Sequence, residues 1–349
     1  MDIVIFSFVT AFGITFLSIP SIIHIAEVKN LYDEPGERKS HSKKIPTLGG
    51  IAIFAGVIFS ITFWTDFSKC WNLQHVIAAM MIIAFIGVKD DITGLSAFKK
   101  LIGQTFAAMI LVIWGDIRIS SMFGIFGVGE IPYIFSILFS ILTILVIINS
   151  FNMIDGINGL SGSFGVISSF AFGVWFYMIE DYQHAIVAVS LIGALVAFLR
   201  FNISPAKIFM GDTGSMMLGL MLSVFAIEFI QTNIHFTHVY AVKAAPVVAI
   251  GTLAIPLFDL VRVFAIRIMH GRSPFKPDRS HLHHVLLDLG CTHNFATFVL
   301  SFLAIVIIIL TFLLQFLGNY ILGAIILLIL IIFSLTISWF AKKRQKQLQ

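Results

Sequence analysis

Tyr320-Ile-Leu-Gly-Ala-Ile-Ile-Leu-Leu-Ile-Leu-Ile-Ile-Phe-Ser-Leu-Thr-Ile-Ser-Trp-Phe-Ala341 runs for 22 residues without a charge and then meets Lys342-Lys-Arg-Gln-Lys346. A helix of about 20 mostly apolar residues crosses a hydrocarbon core of about 30 Å. A basic cluster at its end marks the cytoplasmic side. The pattern recurs along the chain. Eleven segments qualify as spans: 2–23, 48–65, 71–88, 99–115, 131–148, 160–179, 184–200, 214–231, 241–266, 295–316 and 320–341. The fourth is the weakest, because Lys99, Lys100 and Gln104 stand at its start.

Composition agrees. Of 349 residues 58% are hydrophobic and 11% charged, against about 25% charged in soluble domains. So few charges would not keep a fold of this size in water. The bilayer is therefore its solvent, and no nucleic-acid partner is expected. Asp2 to Ile23 lacks the basic start and small-residue cleavage site of a signal peptide and reads as a retained helix. Cys70 and Cys291 fit neither a disulfide framework nor a metal cluster and read as free thiols.

Basic residues set the orientation. Nineteen of the 22 fall in the loops after odd-numbered spans, at the adjoining span ends or in the tail, leaving Lys69, Arg118 and Lys243 for the other side. The expected protein is all-α and polytopic, with the amino terminus outside and the carboxyl terminus cytoplasmic. Its inner loops are 24–47, 89–98, 149–159, 201–213 and 267–294. The outer connections are short, apart from 116–130, where Arg118 to Val128 suits a small hairpin. With no repeat or low-complexity tract, residues 1–349 read as one domain.

Charges near the membrane interior cost roughly 2.5–3.5 kcal/mol each on insertion scales, so their positions carry information. Asp90 and Asp91 end the third span in Gly87-Val-Lys-Asp-Asp-Ile-Thr-Gly94. Asp155 follows the fifth, within Asn149-Ser-Phe-Asn-Met-Ile-Asp-Gly-Ile-Asn-Gly159, and Asp212 opens the eighth, within Met210-Gly-Asp-Thr-Gly-Ser215. Asp259 and Arg262 lie in the inner half of the ninth, followed by Arg267, Arg272, Arg279 and His281-Leu-His-His284. Parity places them all on the inner side. Clustered carboxylates without thiolates favour a hard cation, Mg2+ with Mn2+ as substitute, over zinc. The glycines Gly156, Gly211 and Gly214 allow close backbone approach, and the start of the eighth helix suits an anion. Together these describe a diphosphate-handling site at a membrane–water boundary. Simpler readings stay open. Asp90-Asp91 also reads as a solvated loop, Asp155 as a turn, Gly-Asp-Thr-Gly as a helix N-cap, and His281 with His284 as a surface cluster or an i, i+3 metal pair.

At these motifs the chain resembles the polyprenyl-phosphate N-acetylhexosamine-1-phosphate transferases, the superfamily that starts peptidoglycan, teichoic-acid, O-antigen and related envelope glycans. The resemblance is an ordered series over nearly the whole chain. It includes Asp33-Glu-Pro-Gly-Glu-Arg-Lys-Ser-His41, Pro46-Thr-Leu-Gly-Gly50, Asp90-Asp91 with Lys99-Lys-Leu-Ile-Gly-Gln104, Asn149 to Leu160, Asn202-Ile-Ser-Pro-Ala206 and Phe209 to Ser215. Phe275 to His284 resembles the branch that transfers N-acetylglucosamine 1-phosphate, of the enterobacterial-antigen and teichoic-acid type. One position departs: the family usually has Asp where this chain has Asn158.

The resemblance implies a phosphoglycosyltransferase of the bacterial cytoplasmic membrane, its site facing the cytoplasm. Undecaprenyl phosphate attacks the β-phosphorus of a UDP-N-acetylhexosamine, directly or by way of a covalent aspartyl-phosphate, and UMP leaves. Asp212 is then the principal metal ligand and Asp91 a second, with Asp90, Asp91 and Asp155 as catalytic carboxylates. Substrate contacts are expected from Asn149, Asn152, Asn158, Phe209, Lys99, Arg262, Arg267, Arg279, His281, His283 and His284; Lys43 and Lys44 read either as guides for the lipid headgroup or as ordinary positive-inside residues. Phe209, one of 36 phenylalanines, also reads as core, and Asp259–Arg262 as a structural ion pair. The oligomeric state stays open, a homodimer among the options. A transporter is the rival class; it would place its acids near the midplane and relate two halves by a repeat.

Overall fold

A computed structural model describes residues 2–29, 31, 45–70, 72–234, 236–271, 273 and 280–348. Among them the regular structure is helical. The elements are α1 (Asp2–Lys29), α2 (Gly49–Trp64), α3 (Leu73–Thr93), α4 (Ala97–Met109), α5 (Tyr133–Ile154), α6 (Leu160–Met178), α7 (Tyr182–Asn202), α8 (Gly211–Thr232), α9 (Ala245–Thr252), α10 (Ala254–Met269), α11 (Leu282–Asp288), α12 (His293–Leu313) and α13 (Gly318–Leu348). A π-helical turn, Ile110–Trp114, prolongs α4. Each of the eleven expected spans coincides with one helix or one broken helix. Among the described residues eight helices can cross a bilayer by length and apolar content, nine if α9 and α10 count as one bent span; α2, with 16 residues, is shorter. The hairpin expected at 118–128 is a ribbon bridged by Ser121 and Glu130.

Helix α8 is the axis of the bundle. Of its apolar stretch 94% is buried, against 22% for α1, and it packs against α2, α3, α5, α6 and α9. Lipid tails are as apolar as leucine, so helices in a bilayer associate through close packing and small residues rather than hydrophobic burial. Two crossings show this. A methyl on Gly50 of α2 would overlap the Gly214 backbone of α8, and one on Gly87 of α3 would overlap Thr213. Through these contacts the ends of α2 and α3 reach the first turn of α8.

The ninth expected span is broken. Between α9 and α10 the axis turns by 80°. Pro256 has no N–H to offer the Thr252 carbonyl, and its ring would crowd that carbonyl in a continuous helix. Ser168 Oγ of α6 donates to the Thr252 oxygen instead, at 3.0 Å. A carbonyl released by a break thus finds a partner from a neighbouring helix, as burial in a membrane requires.

Candidate active site

The site is assembled on the first turn of α8. Gly211 opens that helix at φ +70°, and a side chain there would overlap the Thr47 carbonyl and lie 2.7 Å from each Asp91 oxygen. The segment before it is laced to the 46–50 motif: Phe209 N donates to Pro46 O (2.7 Å), Gly49 N to Phe209 O (3.0 Å) and Gly50 N to Met210 O (2.8 Å). Asp91, at the end of α3, then receives the exposed donors of α8. Asp212 N reaches its Oδ1 at 2.7 Å, while Thr213 N (3.1 Å) and Thr213 Oγ1 (2.6 Å) reach its Oδ2. A carboxylate at a helix N-terminus satisfies otherwise unpaired N–H groups and meets the positive end of the dipole. The Gly-Asp-Thr-Gly turn is therefore a capped helix start, with the cap supplied by another helix. As catalytic group or metal ligand Asp91 would have to compete with three hydrogen bonds.

Its neighbour Asp90 faces a different task. Lys100, in the first turn of α4, places Nζ 2.5 Å from Asp90 Oδ2 and also bonds Asp212 Oδ2. One ammonium thus joins two carboxylates from different helices. Leu95 N donates to Asp90 Oδ1 at 2.5 Å. Asn152 of α5 donates to Asp212 Oδ1 (2.8 Å) and is 3.0 Å from Ser215 Oγ. Lys99, the expected substrate contact, is exposed, and its neighbour occupies the site. Helical spacing carried the signal: Lys100, Gln104, Ala107 and Leu111 follow at i, i+4, i+7 and i+11, and the last three are buried.

Asp155 lies just past α5, its Oδ1 2.5 Å from Ser161 Oγ. Burial pushes its carboxyl up to about 7, opposed by the Ser161 hydrogen bond and reinforced by the charges of Asp212 and Asp91. Such a group holds or releases a proton near neutral pH.

The remaining expected contacts divide. Both amide donations of Asn149 go to protein, to Gln104 Oε1 and the Leu145 carbonyl at 2.8 Å each, so that its amino group ties α5 to α4. Asn158 donates through Nδ2 to Ser204 Oγ (2.7 Å), and its carbonyl accepts from Thr297 Oγ1 (2.9 Å), which holds the Asp155 turn against α12. Phe209 is half-buried, and Arg267 is buried in α10. His281 and His283 are buried, and the His283 ring lies against Gly156, where a methyl would overlap it. The close approach expected of Gly156 is thus to an imidazole. His284 sits 4.3 Å from His283 between ring centroids. Asp259 and Arg262 form the expected ion pair at 3.4 Å, which commits Arg262 to protein partners. Lys43, Lys44, Arg272 and Arg279 lie outside the described residues.

The donor set bears on a metal. Among the described residues no three His, Cys, Asp or Glu side chains already form a cation cage. Asp90 and Asp212, however, converge on one positive charge, and oxygen ligands suit Mg2+, which takes one or two carboxylates together with substrate phosphates. The residues fit such an ion.

Comparison with known proteins places this constellation. The family model described as Glycosyl transferase family 4 matches residues 73–230, from the start of α3 to the end of α8. A decaprenyl-phosphate N-acetylglucosaminephosphotransferase of Mycobacterium tuberculosis (strain ATCC 25618 / H37Rv) is 32% identical over 306 residues, 82% of this chain and 76% of its own. This chain belongs to glycosyl transferase family 4. Another relative, from Mycolicibacterium smegmatis, carries the same description and is 34% identical over 76% of this chain and 71% of its own. An undecaprenyl-phosphate alpha-N-acetylglucosaminyl 1-phosphate transferase of Escherichia coli (strain K12) is 29% identical over 80% of this chain and 75% of its own. As a family 4 member this chain is a multi-pass membrane glycosyltransferase, and all the site residues from α3 to α8 lie in the matched region.

Proposed function

We propose that this protein transfers N-acetylglucosamine 1-phosphate from UDP-N-acetylglucosamine to a polyprenyl phosphate, as the first membrane step of an envelope glycan. The observation that carries the reading is the meeting of Asp90, Lys100, Asn152 and Asp212 from four helices, α3, α4, α5 and α8, at one end of a membrane bundle. The names of the relatives supply the substrate class. In the reaction an oxygen of the lipid phosphate bonds to the β-phosphorus of the nucleotide sugar. The bond from that phosphorus to the bridging oxygen breaks, and UMP leaves with the electron pair.

In-line phosphoryl transfer asks mainly for positioning and charge neutralisation. Asp212 with Asp90 would hold Mg2+, which neutralises diphosphate charge when bound. Lys100 sits where an ammonium can bond phosphate oxygens once the carboxylates have another cation. Asn152 fixes the Asp212 carboxylate through Oδ1. Asp155, with its raised proton affinity, takes up or returns a proton at its carboxyl near neutral pH. The concentration of basic residues in odd-numbered loops supports a cytoplasmic site.

The test is direct. Purified protein is incubated with undecaprenyl phosphate, Mg2+ and a panel of UDP-sugars, and the lipid product is identified by mass. UMP release and a lipid diphosphate carrying N-acetylhexosamine are expected, fastest with UDP-N-acetylglucosamine. Substrate flux across a vesicle without any lipid product would establish the transporter reading instead.

A further inference from the structure

The reaction described above makes no use of the most buried charge on the bent span. Asp259 lies in α10 and is 2% exposed. An uncompensated carboxylate there would be costly, and this one is fully engaged. Its Oδ2 is 2.8 Å from His281 Nδ1, and its Oδ1 accepts from Leu282 N at 3.0 Å. Arg262, one turn on, completes the arrangement. Its Nη1 reaches Asp259 Oδ1 at 3.4 Å and donates to the Ser280 carbonyl at 2.6 Å, while its Nε donates to Ser334 Oγ of α13 at 2.7 Å. One acid and one base thus grip three successive residues, Ser280, His281 and Leu282, at the entry to α11.

What this grip holds is the first turn of α11. The His281 and His283 rings are parallel within 12°, with centroids 5.5 Å apart. His283, 1% exposed, presses on Gly156, the residue after Asp155. The chain of contacts therefore runs from the bent span through His281 to His283 and on to the turn that carries Asp155. That turn is pinned on its other side by Asn158 and Gly159, the latter donating to Asn202 Oδ1 at 2.7 Å.

We propose that Asp259 and Arg262 are positioning residues for the transfer: they fix His281 and the start of α11 so that His283 sets the Asp155 turn relative to Asp212. This rests on the transferase reading. Outer-layer hydrogen-bond partners of this kind change activity by about 10–100-fold when removed from metal sites, and a loss confined to geometry lowers kcat while leaving KM.

The experiment uses the full-length protein in detergent, with kcat and KM for UDP-N-acetylglucosamine measured beside the melting temperature. Asp259→Asn removes the charge opposite His281, and about a 10–100-fold fall in kcat with nearly unchanged KM is expected. Asp259→Glu, which keeps two acceptor oxygens, recovers part of that loss. Gly156→Ala displaces His283 from the opposite side and produces the same kcat-against-KM split. Wild-type kcat in Asp259→Asn, with only the melting temperature lowered, overturns the proposal. If Asp259→Asn does not fold, Arg262→Lys discriminates in the same way, because it keeps the charge and loses the planar fork. A wild-type protein that makes no lipid product defeats the transferase reading, not the grip. The grip is then followed by carbethoxylation of His283, detected by mass spectrometry. About tenfold faster modification is expected in Asp259→Asn when release uncovers a 1% exposed ring; an unchanged rate overturns it.

Discussion

Helix α8 carries an acid near each end, Asp212 and Glu228, and the two ends are built differently. At the Glu228 end Glu228 and Asp181 each have a partner of their own. Asn72 donates to Glu228 Oε1 at 2.8 Å, and His184 Nδ1 lies 2.6 Å from Asp181 Oδ2. Asp181 also caps α7 by accepting from His184 N. At the Asp212 end, Asp90 of α3 and Asp212 of α8 share one ammonium, that of Lys100, and the charges of Asp212 and Asp91 act on Asp155 just past α5. Exposure does not separate the two ends, since the side chains of Asp212 and Asp181 are 26% and 28% exposed. The sharing of a cation does. Like charges held close disfavour ionisation unless a cation joins them, so the Asp212 end, unbalanced with two carboxylates on one ammonium, has room for a cationic ligand. The Glu228 end, where Asn72 and His184 each serve one acid, reads as structure.

The largest effect should come from the unbalanced end. Asp212→Asn keeps the acceptor for Asn152 but removes the charge that Lys100 and a divalent ion share. UMP release should fall by about 10²–10³-fold, the range seen when one electrostatic stabiliser leaves an active site. Retained turnover in Mg2+ would break the comparison at once.

Asp155 offers a smaller, signed effect on stability. Its carboxyl is raised from an ordinary 3.8 to about 7, first by burial and then by the charges of Asp212 and Asp91. Between those values the folded protein holds a proton that the unfolded chain has lost. Its contribution is therefore complete below about pH 4 and lost as pH rises through about 7. The melting temperature of the wild type, measured against that of Asp155→Asn, should fall from pH 5 to pH 7.5, because only the wild type loses the contribution of the bound proton. A parallel pH dependence in the two proteins would show that Asp155 is already ionised.

Glu228→Gln tests the other end. The new amide keeps an acceptor for Asn72, so the loss should stay near the cost of one polar contact between membrane helices, about 0.6 kcal/mol and at most about 1.7. Turnover should match the wild type. A large fall in kcat with an unchanged melting temperature would move Glu228 into the chemistry.

Much of this was legible in the sequence. Apolar length located eleven helical segments, because each had to bury its backbone polar groups internally. The motifs marked which ends carry acids. What stayed hidden depended on side-chain direction or on partners distant in the chain. Lys99 and Lys100 are equivalent in composition, and only the buried face continued by Gln104 and Leu111 distinguishes them. Asp91 looked like a catalytic twin of Asp90, yet one residue is 100° of helix rotation, and that rotation aims it at α8. The expected ninth span, 241–266, ran unbroken across Pro256, and the rescue of Thr252 by Ser168, 84 positions away, could not be read at all. Asn149 carried a motif position and a strut between helices at once, and the sequence names only the first.

The smallest effect bears on the one departure from the family pattern. Asn158 donates to Ser204 Oγ at 2.7 Å, while its backbone carbonyl accepts from Thr297. An aspartate has no N–H, but a hydroxyl rotates and can donate where it formerly accepted. Asn158→Asp should therefore keep the tie to Ser204 with its direction reversed, and turnover should change by no more than about threefold, the equivalent of roughly 0.7 kcal/mol. The added charge, three residues from Asp155 in one turn, should also raise the pH at which Asp155 ionises, because a neighbouring carboxylate disfavours the charged form. Measuring the pH dependence of the melting temperature in Asn158→Asp separates these effects. A midpoint moved upward with turnover kept confirms a spare acceptor at this position. A tenfold loss of turnover at constant melting temperature would instead make the Asn158 amide N–H groups a requirement of the substrate contact.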